Sequence, residues 1–198
     1  MLNYLLPVLA YFMGSISSAV VVSRVMGLQD PRSVGSGNPG ATNMLRVGGK
    51  KAAVITLLGD ILKGALAVLV ARAVTAEPLV LALTALMAFL GHLFPVFFGF
   101  RGGKGVATAF GTLVALSPWV GLALVLTWGA IAVLSRYSSL SAITSALLAP
   151  VFVWLLLPAS PYFYVTLTMT ALLVWRHRSN VRNLLAGTEG KIGGERKT

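Results

Sequence analysis

Long apolar runs constrain this chain more than any other feature. They lie at about 3–25, 52–74, 78–98, 105–117, 119–135, 139–157 and 161–175, and the breaks between them carry Gly, Pro and charge. A helix needs roughly 20 mostly apolar residues to cross the hydrocarbon of a bilayer. Only 11% of the residues are charged and 57% are hydrophobic, far too little charge to clothe a soluble domain of this length. Lipid is therefore the solvent for most of these side chains. The amino-terminal run lacks the basic flank and small-residue cleavage site of a secretory signal, so it reads as a retained first span. Cysteine is absent, which excludes a disulfide framework, a cysteine-ligated zinc and a thiol nucleophile.

The basic residues orient the spans. Lys and Arg favour the cytoplasmic side of a membrane. Arg24, Arg32, Arg46, Lys50 and Lys51 follow the first run. Arg101 and Lys104 follow the third, and Arg136 follows the fifth. Arg176, Arg178, Arg182, Lys191, Arg196 and Lys197 follow the seventh. The other connections hold only Arg72, offset by Glu77, and two uncharged Pro turns. Seven spans put every basic stretch on one side, whereas fusing the short fourth run to the fifth puts the tail opposite the first loop. The expectation is an all-α integral membrane domain over residues 1–198. It has seven transmembrane helices, a periplasmic amino terminus and a cytoplasmic tail at 176–198. A re-entrant fourth segment is the alternative. The net charge of +11 then needs no nucleic-acid partner; basic cytoplasmic loops and an anionic ligand account for it.

Three polar stretches fall on that one face. In residues 33–50, Gly35, Gly37 and Gly40 let backbone amides turn toward an anion. Ser36, Asn38, Thr42 and Asn43 add short hydrogen-bonding side chains, and Arg46 offers a fork to phosphate or carboxylate. In residues 91–108, Gly102, Gly103 and Gly105 surround Lys104 just before the fourth run, so amides at a helix start join an ammonium as a phosphate cradle. The likeness to a nucleotide-binding P-loop is superficial: the spacing is one residue short, no Ser or Thr follows the Lys, and no strand precedes it. In residues 175–189, His177 titrates near neutrality, and Asn180 follows three residues later on the same helical face. The Arg residues of this stretch also fit a cluster that only fixes orientation. Within the second run Asp60 and Lys63 lie three apart and read as a neutralised structural pair, with direct catalysis the alternative; their position beneath the first loop allows them to brace it. His92 reads as a packing residue. Trp119, Trp128, Trp154 and Trp175 read as packing and interface anchors, not a ligand cage.

Together these stretches describe a site for a small, doubly charged anion at the membrane surface. Asp30, Glu189 and Glu195 are too few and too scattered for two-metal phosphoryl chemistry. There is no Gly-x-Ser-x-Gly elbow and no His followed by Asp after four residues. The segments GSGNPGATNMLR (35–46), GHLFPVFFGFRGGKGVAT (91–108) and WRHRSNVRNLLAGTE (175–189) resemble the three cytoplasmic motifs of the PlsY family, the acyl-phosphate-dependent glycerol-3-phosphate acyltransferases of bacteria. The likeness covers essentially the whole chain. It implies transfer of a fatty acyl group from membrane-embedded acyl phosphate to the 1-hydroxyl of sn-glycerol 3-phosphate at the inner membrane. The products would be 1-acyl-glycerol 3-phosphate and phosphate, with no metal or organic cofactor. A soluble enzyme that makes acyl phosphate would be a functional neighbour. Lys104 with the amides of Gly102 and Gly103 is expected to hold one phosphate. Arg46, Ser36 and Asn38 would hold the other or orient the glycerol. His177 and Asn180 match family site positions and would complete the pocket. The expected catalytic set is Ser36, Lys104, His177 and Asn180. A phosphate or organic-anion transporter and a non-catalytic membrane scaffold are the rival readings, the first weakened by short, nearly uncharged outer connections.

Overall fold

The computed structural model describes residues 2–193, and every described element is helical. Arg196, Lys197 and Glu195 lie outside the described residues. The helices are α1 (Leu5–Gly14), α2 (Ser18–Val25), α3 (Ala41–Val74), α4 (Pro78–Leu93), α5 (Val106–Leu116), α6 (Pro118–Ser135), α7 (Ser138–Leu156), α8 (Ser160–Arg176) and α9 (Arg178–Leu185). Ala41–Val74, Pro78–Phe98, Pro118–Ser135 and Ser138–Leu156 are long and apolar enough to cross a bilayer, and α1 with α2 makes a fifth such element if the bent pair is one span. Helix α5 has 11 residues, about 16 Å at 1.5 Å per residue, and α8 has 17. Proline at the first turn of α4, α6 and α8 starts those helices where its missing N–H costs nothing. At α6 the Ser117 hydroxyl accepts from the Val120 amide at 3.4 Å.

Three expected boundaries move, each for a local reason. The run at 3–25 is not one helix: α1 and α2 meet at a 41° bend. The bend frees the carbonyl of Ile16, which accepts from the ammonium of Lys63 at 2.8 Å. The second helix begins at Ala41, not at 52, because the Gly40 carbonyl takes the amides of Asn43 and Met44 at 3.0 Å each. Arg46 therefore rides on a helical turn, not in a loose loop. Gly49, at φ +74, breaks the helix below that turn in a conformation that strains any residue with a β-carbon. The run at 78–98 is helical only to Leu93; Pro95 stops it, and Val96–Phe98 forms a single 3-10 turn.

Close backbone approach, not large side chains, sets the helix spacing. A β-carbon at Gly14 or Gly91 would overlap carbonyls of Ala88 or Tyr11, and one at Gly64 or Gly111 would overlap carbonyls of Thr108 or Ile61. Small residues do this where helices gain no hydrophobic drive from each other in lipid. Many large apolar side chains turn outward, as with Val133 and Leu134 at 80% and 83% exposure, while Phe89, Leu93 and Met44 fill the core. Trp119, Trp154 and Trp175 are also exposed, as interface anchors are. Asp60 and Lys63 pair at 2.8 Å, buried as expected.

Candidate active site

The α2–α3 connection, the α4–α5 connection and the α8–α9 corner converge on one cavity of about 910 Å³. Of the expected residues, Ser36, Asn38, Arg46, Gly102, Lys104 and Asn180 line it. Gly103 and His177 do not, and both are buried behind it.

The first wall is held from beneath by Asn43. Its side chain does not face a ligand as the sequence suggested; it is 1% exposed. Its Oδ1 accepts the Ser36 amide at 2.8 Å, and its Nδ2 donates to the carbonyls of Pro31 at 2.8 Å and Val34 at 3.1 Å. This ties the loop into one shape and presents Ser36 outward. Arg32 pairs with Asp30 at 2.6 Å and donates to the Phe98 carbonyl at 3.2 Å, joining this loop to the second wall. That pairing holds the Asp30 carboxyl below the usual carboxylate range.

The second wall is fixed from two sides. Arg176, at the end of α8, donates Nη2 to the Gly102 carbonyl at 2.6 Å and Nε to the Gly103 carbonyl at 3.1 Å. The Gly103 amide donates to the His92 carbonyl at 3.2 Å. That amide is therefore already committed, which corrects the expectation that it would cradle a phosphate. Arg176 is a support of this wall that motif reading does not find. It looked like an orientation charge, and nothing in the spacing links it to carbonyls 73 and 74 positions away.

Lys104 donates to Oδ1 of Asn180. Nδ2 of Asn180 donates to Glu189 Oε1 at 2.7 Å, and that same oxygen accepts from the Ser139 hydroxyl at 2.6 Å. Glu189 thus fixes which face of the amide meets Lys104. It was readable as the lone carboxylate of the third stretch, while Ser139 gave no signal. Burial pushes the Lys104 ammonium below the usual lysine range; Glu189 acts against that, and Arg176 and Arg46 add to it.

His177 closes the corner between α8 and α9. Its Nδ1 lies 2.8 Å from the Leu173 carbonyl. A carbonyl only accepts, so Nδ1 carries the proton and Nε2 keeps its lone pair. Burial lowers the imidazole to about 4, against the opposing pull of the Leu173 carbonyl. His177 is therefore neutral at physiological pH; its Nε2 lone pair can accept a hydrogen bond, while burial opposes its taking on a full proton.

The cavity is strongly cationic. Among the described residues, Arg46, Lys104, Arg176, Arg178, Arg182 and Lys191 line it against the one carboxylate of Glu189. A cleft with one sign of charge concentrates small anions and fixes them where its donors converge.

Comparison with known proteins gives the same direction. Residues 4–187 match the family model described as glycerol-3-phosphate acyltransferase. A glycerol-3-phosphate acyltransferase of Thioalkalivibrio sulfidiphilus is 57% identical over 188 residues, covering 95% of this chain and 93% of the relative. One from Thiobacillus denitrificans is 57% identical over 197 residues, covering 98% of each. The crystal structure of PlsY (YgiH), an integral membrane glycerol 3-phosphate acyltransferase, in its glycerol 3-phosphate form superposes with a TM-score of 0.92 at 41% identity and 96% coverage of both chains. Its lysophosphatidic acid form gives 0.90 at 39% identity, covering 96% of this chain and 95% of that one. The chain is an all-helical integral membrane acyltransferase and belongs to the glycerol-3-phosphate acyltransferase family.

Proposed function

We propose that this cavity takes sn-glycerol 3-phosphate from water and the head group of a fatty acyl phosphate from the bilayer, and joins them. The glycerol 1-hydroxyl oxygen attacks the acyl carbonyl carbon, the carbon–oxygen bond to phosphate breaks, and 1-acyl-glycerol 3-phosphate and inorganic phosphate leave. The hydroxyl proton passes to His177 Nε2 or to the departing phosphate. Lys104, beside Gly102, holds one phosphate. Arg46, Ser36 and Asn38 hold the other or orient the glycerol, and Asn180 and His177 complete the set. Acyl phosphate is a mixed anhydride with a good leaving group, so the work left to the protein is charge neutralisation and alignment. The observation that carries this reading is the convergence of three distant polar stretches on one cavity walled by six basic side chains.

The same reading places the protein in the bacterial inner membrane with seven spans, a periplasmic amino terminus, and the cavity at the cytoplasmic face. There it would catalyse the first acylation of phospholipid synthesis, with donor supplied by a soluble enzyme. The chain has no cysteine, so single introduced cysteines report topology without background. Lys51→Cys and Gly190→Cys should be labelled from the cytoplasm, Ala76→Cys and Ala159→Cys from the periplasm; the opposite pattern overturns the orientation.

The decisive assay gives purified protein radiolabelled glycerol 3-phosphate with acyl phosphate or acyl-CoA. Lipid-extractable label with acyl phosphate alone is expected, and product with acyl-CoA alone overturns the donor. Accumulation of unchanged solute in sealed vesicles without product would indicate a transporter. Lys104→Ala is expected to lower turnover about a thousandfold; near-normal turnover removes Lys104 from its role.

A further inference from the structure

The reaction does not explain the three buried groups beneath the cavity: Asp60 and Lys63 on α3, and His92 near the end of α4. All are below 9% exposure, and none lines the cavity. Ionised groups at such depth are costly and persist where they do something specific. Leu or Met at positions 60 and 63 would fill the space with no such cost.

Their geometry points upward to the second wall. The Lys63 ammonium lies 2.8 Å from Asp60 Oδ1, 2.8 Å from the Ile16 carbonyl at the α1–α2 bend, and 3.0 Å from Nδ1 of His92. An ammonium has no lone pair, so Nδ1 of His92 is the acceptor and its ring proton sits on Nε2. The ring then runs under Gly103: a β-carbon there would overlap Nε2. The carbonyl of Pro39, from the first wall, comes within 3.1 Å of the same point. The His92 carbonyl meanwhile accepts the Gly103 amide at 3.2 Å. One residue thus grips Gly103 by backbone and ring at the seam where the first two walls meet, next to Lys104.

We propose that Asp60, Lys63 and His92 are positioning residues for the acyl transfer: an ion pair fixes the imidazole, and the imidazole sets the height and register of Gly103 and Lys104 against the first wall. The pair is the buried, neutralised one that the sequence suggested, and the wall it braces is the second. This role rests on the reading that Lys104 holds a reacting phosphate.

The test compares His92→Leu, His92→Asn and the apolar pair Asp60→Leu/Lys63→Met in purified protein, each with its thermal transition in detergent. Asn keeps an acceptor near the position of Nδ1, and Leu does not. His92→Leu and the apolar pair should melt near the parent temperature yet lose about thirtyfold or more in kcat/KM for glycerol 3-phosphate, since misplacement by an ångström costs about two orders of magnitude. His92→Asn should recover to within about threefold. If His92→Leu is folded and fully active, or His92→Asn is as impaired as Leu, the proposal fails. If His92→Leu does not fold, the apolar pair decides: folded with lost activity supports positioning, and folded with parent activity overturns it. If neither folds, the network serves stability alone and the proposal is overturned. Lys104→Ala, run in parallel, separates the two readings. Activity in Lys104→Ala sinks the phosphate assignment, whereas an inactive Lys104→Ala beside a normal His92→Leu sinks only this one.

Discussion

Arg176 gives the sharpest prediction because its two functions can be separated. It holds the Gly102 and Gly103 carbonyls through a planar fork, with bonds of 2.6 Å and 3.1 Å, and it also contributes a positive charge to the cavity. A hydrogen bond from a charged donor contributes about 1.5–3 kcal/mol, so two set a ceiling of about 3–6 kcal/mol. The residue is only half buried, and water will replace part of that in a truncated variant. About 2–3 kcal/mol should remain as the cost of restoring the loop for each turnover. At 1.36 kcal/mol per tenfold, Arg176→Ala loses roughly 30- to 150-fold in kcat/KM. Arg176→Lys keeps the charge but cannot reproduce the fork. If loop placement matters, Arg176→Lys stays about tenfold or more below the parent; if only charge matters, it is nearly normal. The assay is steady-state acylation of labelled glycerol 3-phosphate by purified protein, with a thermal transition for each variant. Arg176→Ala within about threefold of the parent, or Arg176→Lys indistinguishable from it, would refute the anchor argument.

Arg46→Ala should cost about two to three orders of magnitude in turnover if its guanidinium holds a reacting phosphate, measured in the same assay. Asn43→Ala leaves the Ser36 amide and the carbonyls of Pro31 and Val34 without their partner, so it should destabilise by about 2–3 kcal/mol in a thermal or denaturant melt while also lowering activity. His177, lowered to about 4 by burial, binds fewer protons folded than unfolded between that value and its ordinary 6.5. Its contribution is therefore complete above pH 6.5 and fades as pH falls toward 4, by up to about 3 kcal/mol. Melting temperatures across pH 4.5–8 should fall on the acid side, and His177→Gln should flatten that slope; an unchanged slope removes the assignment.

The helices and the cavity were legible in the sequence to different depths, for different reasons. Apolar runs expose helices because lipid punishes every unpaired polar group, so even α5 stood out. Hydropathy is blind to backbone geometry, however. It could not show that Ser15–Ser17 break the first run, that Gly40 starts α3 eleven residues early, or that Gly49 bends it. Ser36, Asn38, Arg46, Lys104 and Asn180 were readable because clustered polar residues are conspicuous in so apolar a chain. The supports were not. Asn43 looks like its neighbours in composition but faces inward, Arg176 looks like an orientation charge, and the Gly103 amide is consumed by a carbonyl on the preceding helix. Composition identifies which residues are available; only the fold decides which of them are already engaged.

That engagement bears on how the cavity meets an anion. Among the described residues six cations face one carboxylate, and Arg176 and Arg46 add to the burial that depresses Lys104, so the cavity's own charges repel one another. Glu189 supplies a counter-charge, and the amide of Asn180 links it to Lys104 by hydrogen bonds. A phosphate oxygen on Lys104 would take over the role of Asn180 Oδ1 and free that amide to reorient. In the proposed reaction acyl phosphate and glycerol 3-phosphate would each bring nearly two negative charges near neutral pH, which together would almost balance the charges of the described lining once Glu189 is counted. The products of that reaction would carry the same total, so electrostatics would assemble the two substrates without favouring either side. The direction must come from the anhydride itself and from the parting of the products, one into lipid and the other into water. A site built this way should discriminate by phosphate charge more than by carbon skeleton, and a phosphonate analogue that is only singly ionised should bind measurably worse than the dianion.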